Sequence, residues 1–456
     1  MQKANLTFGQ LWNLSFGFFG VQIAYSLQSA NISRIFATLG ADPHDLSFFW
    51  ILPPLMGMIV QPLVGKYSDK TWTRFGRRIP YLFLGSLVAI AVMCLLPNAG
   101  NFNFSTIFLN FTDFSLLIGG AMLFGLFSLM LLDTAINMAM QPFKMLVGDM
   151  VSEEQKGQAY SIQSFLVNAG GLVGFVFPYL FTMLGIANTA PEGQVPDTVK
   201  YSFYIGSAIL ILCVLFTTFK VKEMPPKEYA EFHGIDPNKK EEKAPGMLTL
   251  LKKAPSAFWT VGIVQFFCWA AFLYMWTYTN GAIADTVWGT TDVKSEGYQA
   301  AGNWVGILFG VQSVGSVLWA LLIPKFKNIK TAYVVSLLLG AAGFASVLFI
   351  HNQYALFASF LLIGVAWAAM LAIPFTLLTN SLSGDHIGTY LGLFNGTICL
   401  PQIVAAACGG VLLKLVGGAQ VNMFIVAGVL LVLGAVSVYL SRARNNEIST
   451  NQTKFV

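Results

Sequence analysis

Long apolar runs are the feature of this sequence that most restricts what it can fold into. Twelve stretches are apolar over the roughly 20 residues that a helix needs to cross a bilayer. None of them alternates apolar and polar residues like the strands of a membrane barrel. We therefore predict an all-α membrane protein with twelve transmembrane helices. The predicted spans cover residues 11–35, 46–66, 79–97, 116–143, 158–184, 202–219, 256–281, 303–323, 331–350, 354–378, 388–413 and 421–441.

The composition excludes most soluble classes of protein. Charged residues make up 10% of the chain and hydrophobic residues 55%, whereas a soluble domain has about 25% charged residues. This excludes a disordered chain, a disulfide scaffold and an ordinary cytosolic enzyme. The five cysteines lie inside apolar runs without paired spacing, and the four histidines lie in connecting segments. We therefore expect no metal site and no cofactor, and a net charge of +5 does not indicate a nucleic-acid partner here.

The positions of the basic residues predict the topology. If the N-terminus is cytoplasmic, 22 of the 26 lysines and arginines fall on the cytoplasmic side or at the cytoplasmic ends of spans. The opposite orientation would reverse this bias and violate the positive-inside rule. We therefore expect both termini on the cytoplasmic side of the membrane.

One polar segment, residues 220–253, divides the spans into two sets of six and contains eight lysines. The two halves share a short repeat, because Pro142-Phe143 and Pro374-Phe375 each lie near the end of a span, 232 residues apart (374 minus 142). Such a plan is similar to that of major facilitator transporters, which bind substrates near the midplane between repeats. The expected units are an N-terminal half at 1–220, a cytoplasmic linker at 221–254, a C-terminal half at 255–445 and a cytoplasmic tail at 446–456.

A polar stripe in span 4 contains the candidate coupling residue. Asp133, Asn137, Gln141 and Lys144 are spaced by 4, 4 and 3 residues and therefore share one helix face. Asp133 is the one acidic residue deep inside a predicted span, where a carboxylate is costly and marks function by default. Lys144 is about 16 Å further along the helix and cannot pair with it directly. Burial then favours the protonated form, which allows proton exchange, although neighbouring helices could also hold this carboxylate structurally.

A second set of polar and aromatic residues in spans 1 and 7 is a candidate sugar site. Amides and hydroxyls can bind sugar hydroxyls, and aromatic faces can pack on the apolar side of the ring. The alternative is that the same residue types form interface belts or bridge helices. The candidates outside span 4 are Gln22, Tyr25, Gln28, Trp269 and Tyr274.

The turn between spans 2 and 3 places one carboxylate among several cations. Asp69 lies close to Arg74, Arg77 and Arg78, and can pair with arginines or accept backbone hydrogen bonds at a helix start. We interpret this cluster as a breakable charge lock that favours one state of a gate. The alternative is that the cations only anchor the cytoplasmic side of the protein.

The same motifs resemble a known family. The matching segments are Gly20-Val-Gln22, Gly57 to Pro62 with the turn from Gly65 to Arg78, Leu132-Asp133 with Asn137 and Gln141-Pro142, and Gly392 to Asn395 with Pro401-Gln402. They resemble the proton-coupled sucrose carriers of plants and their animal and bacterial relatives. These carriers belong to the glycoside–pentoside–hexuronide:cation branch of the major facilitator superfamily.

The resemblance implies a major facilitator fold and a proton-binding role for Asp133. It adds Asn395 and Gln402 to the candidate substrate-binding residues, beside Asn137, Gln141 and Lys144. The family usually has arginine where this chain has Lys144, and lysine lacks the bidentate guanidinium fork. Bacterial relatives are expected to take maltose and other glucosides.

We therefore predict a transporter that imports a neutral α-glucoside disaccharide, of the maltose or sucrose type, by proton symport through alternating access. We expect a monomer in the bacterial inner membrane and no enzymatic activity. The alternatives are a Na⁺-coupled member of the same branch and a sugar uniporter. From other classes, a membrane-embedded hydrolase would need a buried base, which no intramembrane histidine supplies, and a non-transporting sugar sensor would need an output domain.

Overall fold

The computed structural model describes residues 5–101, 107–111, 114–118, 120–233, 251–379 and 393–440. Eleven helices in these ranges are long and apolar enough to cross a membrane. The first helix, of 31 residues, brings the number of long helices in these ranges to twelve. It contains the polar residues Gln22, Gln28 and Asn31. The structure therefore confirms the predicted helical membrane bundle.

The N-terminal half contains the first six long helices. Its helices are α1 (Phe8–Thr38), the short α2 (Leu46–Phe49), α3 (Leu52–Lys70), α4 (Ile79–Leu95), α5 (Gly120–Met150), α6 (Glu153–Met183) and α7 (Asp197–Lys220). Helix α1 packs mainly against α6 and α7, and α5 packs against α3 and α4. Buried apolar side chains from α1, α4, α5 and α7 fill the space between them.

The C-terminal half follows the short helix α8 (Pro226–His233), which lies in the predicted linker; residues 234–250 are outside the described ranges. Its long helices are α9 (Ser256–Trp288), α10 (Glu296–Ala320), α11 (Ile329–Ser346), α12 (Leu356–Thr379), α13 (Gly396–Leu415) and α14 (Asn422–Leu440). Helix α9 packs against α13 and α14, and α12 packs against α10 and α11. The predicted start of span 11 at 388 also lies outside the described ranges.

One segment differs from the predicted helices. Strands β1 (Ile107–Phe111) and β2 (Phe114–Ile118) form an antiparallel hairpin before α5, which begins at Gly120. The prediction that span 4 starts at 116 is therefore wrong for its first residues. Aromatic and β-branched residues favour extended backbone, and an apolar run of this kind does not distinguish a strand from a helix end.

Helix α10 also begins earlier than its apolar run predicts. It starts at Glu296 rather than 303, because the Ser295 side chain caps the helix by accepting from the backbone N–H of Tyr298 at 3.1 Å. The first turns contain the buried polar residues Gln299 and Asn303. In the sequence, polar residues at this position are typical of a loop. In the structure, they belong to the helix and face the other half of the molecule.

The two halves meet closely at one end of the bundle, which we name the Arg34 end after the residue at its centre. Gly306 of α10 lies so close to the carbonyl of Phe175 in α6 that an added Cβ would overlap it. The opposite end, which we name the basic end, contains the turn between α3 and α4 and the start of α6. In the described part of the chain, every hydrogen bond and ion pair between the halves lies toward the Arg34 end.

Candidate functional site

A cavity of about 320 Å³ lies between the halves near the middle of the long helices. This volume falls at the lower end of the roughly 300–1,000 Å³ typical of small-molecule sites. Helices α1 and α6 form one wall, and α9, α10 and α12 form the other. The lining side chains with polar or aromatic groups are Gln22, Tyr25, Ser29, Ser164, Asn168, Phe175, Trp276, Phe309, Gln312, Ser313 and Trp367.

Two tryptophans form the aromatic part of the wall. The rings of Trp276 and Trp367 are nearly perpendicular, at 81°, with centroids 5.7 Å apart. Trp276 also stacks on Trp50 from the N-terminal half, with centroids 6.1 Å apart and an interplanar angle of 18°. Trp50 is held in place because its indole N–H donates to Ser33 Oγ at 2.9 Å. The cavity thus has aromatic faces next to the contact between the halves.

The polar part of the wall has amides on both sides. Asn168 donates one amide hydrogen to the Ser164 carbonyl at 2.8 Å, which orients its side chain. Gln22 and Gln312 form no side-chain hydrogen bond with other described residues, and their amides border the cavity. Among the described residues that line the wall, none has a charged side chain. Such a site is suited to an uncharged ligand with many hydroxyl groups.

Asp133 lies behind this wall in the N-terminal half and is 2% exposed. One carboxylate oxygen accepts a hydrogen bond from the Gln28 amide of α1. The other oxygen, and the Gln28 carbonyl oxygen, have no hydrogen-bond partner among the described residues. No lysine or arginine of the described part pairs with Asp133. Tyr25, one turn before Gln28 on α1, lines the cavity wall.

The polar stripe of span 4 joins three helices. Asn137 donates to the backbone carbonyl of Asp133 at 2.8 Å and accepts from the Gln61 amide of α3 at 2.7 Å. Gln141 faces α3 near Gly65. Lys144 is exposed and lies one turn further toward the basic end of α5. The stripe therefore contacts α1 and α3 rather than the cavity.

The structure brings together only part of the predicted substrate-binding set. Gln22 and Tyr25 line the cavity, whereas the other eight candidates do not in this conformation. Trp269 packs behind the wall against Trp367, with ring centroids 5.6 Å apart, and Tyr274 is buried against Tyr278. The eight are Gln28, Asn137, Gln141, Lys144, Trp269, Tyr274, Asn395 and Gln402.

The reason is helix rotation, which a one-dimensional pattern does not contain. Gln402, for example, donates to the Ile398 carbonyl of its own helix at 3.0 Å, and Asn395 is the N-cap residue of α13. The sequence-based site omitted Asn168, Gln312 and Trp367. The available signal was weak, because the runs that contain Asn168 and Gln312 also contain other amides, such as Gln163 and Asn303.

Ion pairs join three of the four residues of the predicted charge lock, and Asp149 is a further partner. Arg77 contacts Asp149 at 2.8 Å and Asp69 at 3.7 Å, and Arg78 contacts Asp69 at 2.6 Å and Asp149 at 2.8 Å. Asp149, at the end of α5, was not among the predicted residues. Arg74 is outside this network, since its guanidinium is exposed and lies 4.7 Å from the Phe75 ring centre.

The lock lies within one half of the molecule. It ties the ends of α3, α4 and α5 together at the basic end, and none of its described ion pairs reaches the C-terminal half. Burial lowers the pKa of Arg78, but the hydrogen bond and charge of Asp149, with the charge of Asp69, outweigh this and raise it. The guanidinium therefore stays charged, and its two carboxylate partners compensate the cost of burying this cation.

Arg34 connects the two halves at the opposite end and was not predicted as a functional residue. Its side chain is fully buried. Its guanidinium donates to Gln299 at 2.7 Å and Asn303 at 2.8 Å in the C-terminal half, and to Asn188 at 2.9 Å in the N-terminal half. All three acceptors are neutral amides, so hydrogen bonds alone compensate the buried charge in the described part of the chain.

Further contacts surround Arg34. Asn303 donates to Thr182 at 2.6 Å across the interface, and Ser33 donates to the Trp276 carbonyl at 3.3 Å. An exposed ion pair between Glu192 and Lys294, 2.8 Å long, joins the two halves at the surface. Together these contacts close the cavity toward the Arg34 end.

Two six-helix halves that enclose a polar and aromatic cavity near mid-depth are the architecture of a secondary transporter. The protein is thus a multi-pass membrane protein of the carrier class. The family model described as Major Facilitator Superfamily matches residues 14–291 and 294–455. The chain belongs to this superfamily, as its resemblance to sugar carriers predicts.

Similar proteins include carriers from a plant and a fungus. Sucrose transport protein SUT1 of Oryza sativa subsp. japonica is 24% identical over 470 residues, which cover 92% of this chain and 85% of that protein. The General alpha-glucoside permease of Schizosaccharomyces pombe is 27% identical over 220 residues, which cover 47% of this chain and 38% of that protein. The crystal structure of a D-xylose-proton symporter matches with a TM-score of 0.64 and 15% identity over 96% of this chain and 97% of that one. The last similarity concerns the fold alone.

Proposed function

We propose that this protein imports a neutral α-glucoside disaccharide, of the maltose or sucrose type, together with a proton. The observation that supports this most directly is the uncharged cavity, with tryptophan faces on one side and free amides on both. A charged substrate in this wall would lack an opposite charge, which makes its desolvation costly. Relatives named as a sucrose transport protein and an alpha-glucoside permease support the choice of sugar.

The wall is suited to a sugar because its two surfaces have different chemistry. Trp276 and Trp367 present aromatic faces on which the apolar face of a pyranose can pack. Gln22, Asn168 and Gln312 present amides that can donate to and accept from hydroxyl groups. A buried polar group that loses its partner is costly, so these amides discriminate against ligands without matching hydroxyls.

Asp133 is the proposed proton-coupling residue. Its isolation from cations and its near-complete burial favour the neutral form when the site is closed to water. The partner-free oxygen of Asp133 can take the proton, and Gln28 links the carboxyl group to α1, which also lines the cavity through Tyr25 and Gln22. A change at α1 during sugar binding can therefore alter the surroundings of the carboxyl group.

Alternating access requires that the two ends open in turn. The Arg34 end is closed in this structure by hydrogen bonds from both halves. By the positive-inside rule we assign the basic end to the cytoplasm, so this state is closed toward the outside and both termini lie inside. We further propose that the protein acts as a monomer in a bacterial inner membrane, and the bilayer and the sugar are its expected partners.

The sugar assignment is tested by uptake in proteoliposomes. An imposed inward proton gradient should drive accumulation of radiolabelled maltose or sucrose, and an excess of unlabelled α-glucosides should compete. Charged sugars and nucleosides should not compete. The proposal fails if no neutral α-glucoside is transported or competes, and binding without transport would indicate a sugar sensor.

The coupling assignment is tested with Asp133→Asn, which mimics the neutral carboxyl group. Uphill uptake should be abolished, while sugar counterflow should continue. A proton-motive force of about 150 mV supplies roughly 3.5 kcal/mol, since about 2.3 kcal/mol corresponds to 100 mV. One proton per sugar therefore supports a gradient of a few hundred-fold. Accumulation that persists in the variant would exclude Asp133 as the coupling site.

Two controls make this result specific. Asp285→Asn removes an exposed carboxylate at the Arg34 end of α9 and should leave accumulation unchanged. Replacement of Na⁺ by choline at constant pH should also have no effect. A strict requirement for Na⁺ would identify a sodium symporter instead, and uptake that never exceeds equilibrium in the unmodified protein would identify a uniporter.

A further inference from the structure

A cavity of about 510 Å³ lies away from the transport path. It is at the basic end of the N-terminal half, between the turn that joins α3 and α4 and the chain that leaves α7. Residues 72–76 form one side, and residues 218–219 and 221–226 form the other. Because α7 ends at Lys220, this pocket lies where a spanning helix leaves the hydrocarbon core.

The acidic residue of this pocket, Glu223, is hydrogen-bonded to backbone N–H groups. The carboxylate of Glu223 accepts hydrogen bonds from the N–H groups of Arg77 at 3.0 Å, Arg78 at 2.8 Å and Ile79 at 2.7 Å. Burial raises the pKa of Glu223, and these N–H groups offset only part of that effect. Both carboxylate oxygens of Glu223 are therefore engaged by the backbone of the turn.

Two cations of the pocket lack such compensation. Arg74 and Lys222 are exposed, and neither forms an ion pair with a carboxylate in the described part of the chain. A tight turn positions Arg74: Thr73 and Gly76 exchange backbone hydrogen bonds at 3.1 and 3.0 Å. Gly76 has a φ of +107°, which L side chains rarely adopt, so this turn depends on glycine. The cations thus form a positively charged recess of defined shape.

The rim of the recess is apolar. Phe219 is 75% exposed and Phe75 is 57% exposed, and both line the pocket. A small soluble anion would leave the exposed aromatic surface of these rings in water. A phospholipid would occupy both parts, because its phosphate can bind the cations while its acyl chains cover the aromatic rim. Basic pockets at the cytoplasmic ends of membrane helices bind anionic lipid headgroups in this way.

We propose that this recess binds the headgroup of an anionic phospholipid, with Arg74 and Lys222 on the phosphate and Phe219 against the acyl chain. The lipid would join the turn between α3 and α4 to the end of α7. It would therefore support the same turn that the ion pairs of Arg77 and Arg78 hold from the inside. This inference does not depend on the identity of the transported sugar.

Native mass spectrometry of the purified full-length protein tests the proposal with phosphatidylglycerol as the probe. The double variant Arg74→Gln/Lys222→Gln should bind this lipid about 25-fold more weakly. This is about fivefold for each cation, which corresponds to about 1 kcal/mol per basic residue near an anionic surface. The matched control Lys325→Gln/Lys327→Gln removes two exposed cations at the same end of the other half and should stay within twofold of the unmodified protein.

Two comparisons on the unmodified protein keep the proposal falsifiable even if the double variant does not fold. Phosphatidylglycerol should bind at least tenfold more tightly than zwitterionic phosphatidylcholine, and equal binding would overturn the proposal. Inorganic phosphate should not displace the lipid at concentrations up to 100-fold higher. Efficient displacement would identify a soluble anion rather than a lipid as the occupant.

Discussion

The contacts of Arg34 lead to a quantitative prediction about gating. Arg34→Lys keeps the positive charge, but a lysine has one ammonium group in place of a planar fork of five N–H donors. It cannot serve the three acceptors Gln299, Asn303 and Asn188, which lie on different sides of the guanidinium. At least two of the three hydrogen bonds should be lost.

The size of the effect follows from these bonds. A hydrogen bond to a charged group contributes about 1.5–3 kcal/mol, so two lost bonds cost at least about 3 kcal/mol in the state that is closed at the Arg34 end. In the state that is open at this end, water hydrates these side chains, so the substitution costs little free energy there. Since 1.4 kcal/mol corresponds to a factor of ten, the open state should gain about 100-fold in relative population.

Spin labels can measure this shift. Glu192 and Lys294 face each other across the interface at the surface, where both are exposed. An exposed ion pair of this kind contributes only about 0–1 kcal/mol, so cysteines at these two positions should perturb the gate little. Electron–electron distance measurements in a background without native cysteines should show a short distance in the parent. The distribution should move to longer distances in Arg34→Lys.

The control is Arg74→Lys, which makes the same substitution at an exposed arginine of the basic end and should leave the distances unchanged. An unchanged distribution in Arg34→Lys would refute the reasoning, because it would show that these hydrogen bonds do not determine the population of the closed state. Lengthening in both variants would indicate a general loss of stability.

Three further predictions concern the wall, the lock and the topology. Gln312→Leu should weaken sugar binding about tenfold through one lost hydrogen bond, measured by competition in counterflow. Asp149→Asn should lower the free energy of unfolding by about 3 kcal/mol, because it breaks two buried pairs. Asp69→Asn should cost about 1 kcal/mol, because Asp69 is half exposed. A cysteine in place of Lys222 should react with impermeant maleimide only from the cytoplasmic side.

The sequence by itself determined the class of the molecule. Twelve apolar runs predict the helical bundle, because lipid offers no hydrogen-bond partners for the backbone. A single apolar segment can satisfy its own backbone hydrogen bonds there only as a helix. Asp133 was also identifiable, since a carboxylate in an apolar run is rare and costly wherever the helix faces. The cluster of Asp69, Arg77 and Arg78 was predictable because its members are close in sequence.

Only the tertiary structure decided which side chains share the cavity and which end is closed. The wall combines residues from five helices, and the position of each depends on helix rotation and on packing against distant neighbours. Gln22 and Gln312 lie 290 positions apart (312 minus 22) and yet border one space. Arg34 shows the same dependence, because its three acceptors come from two distant segments, one in each half. A local pattern gives the polarity of each residue, whereas long-range packing decides which polar groups meet.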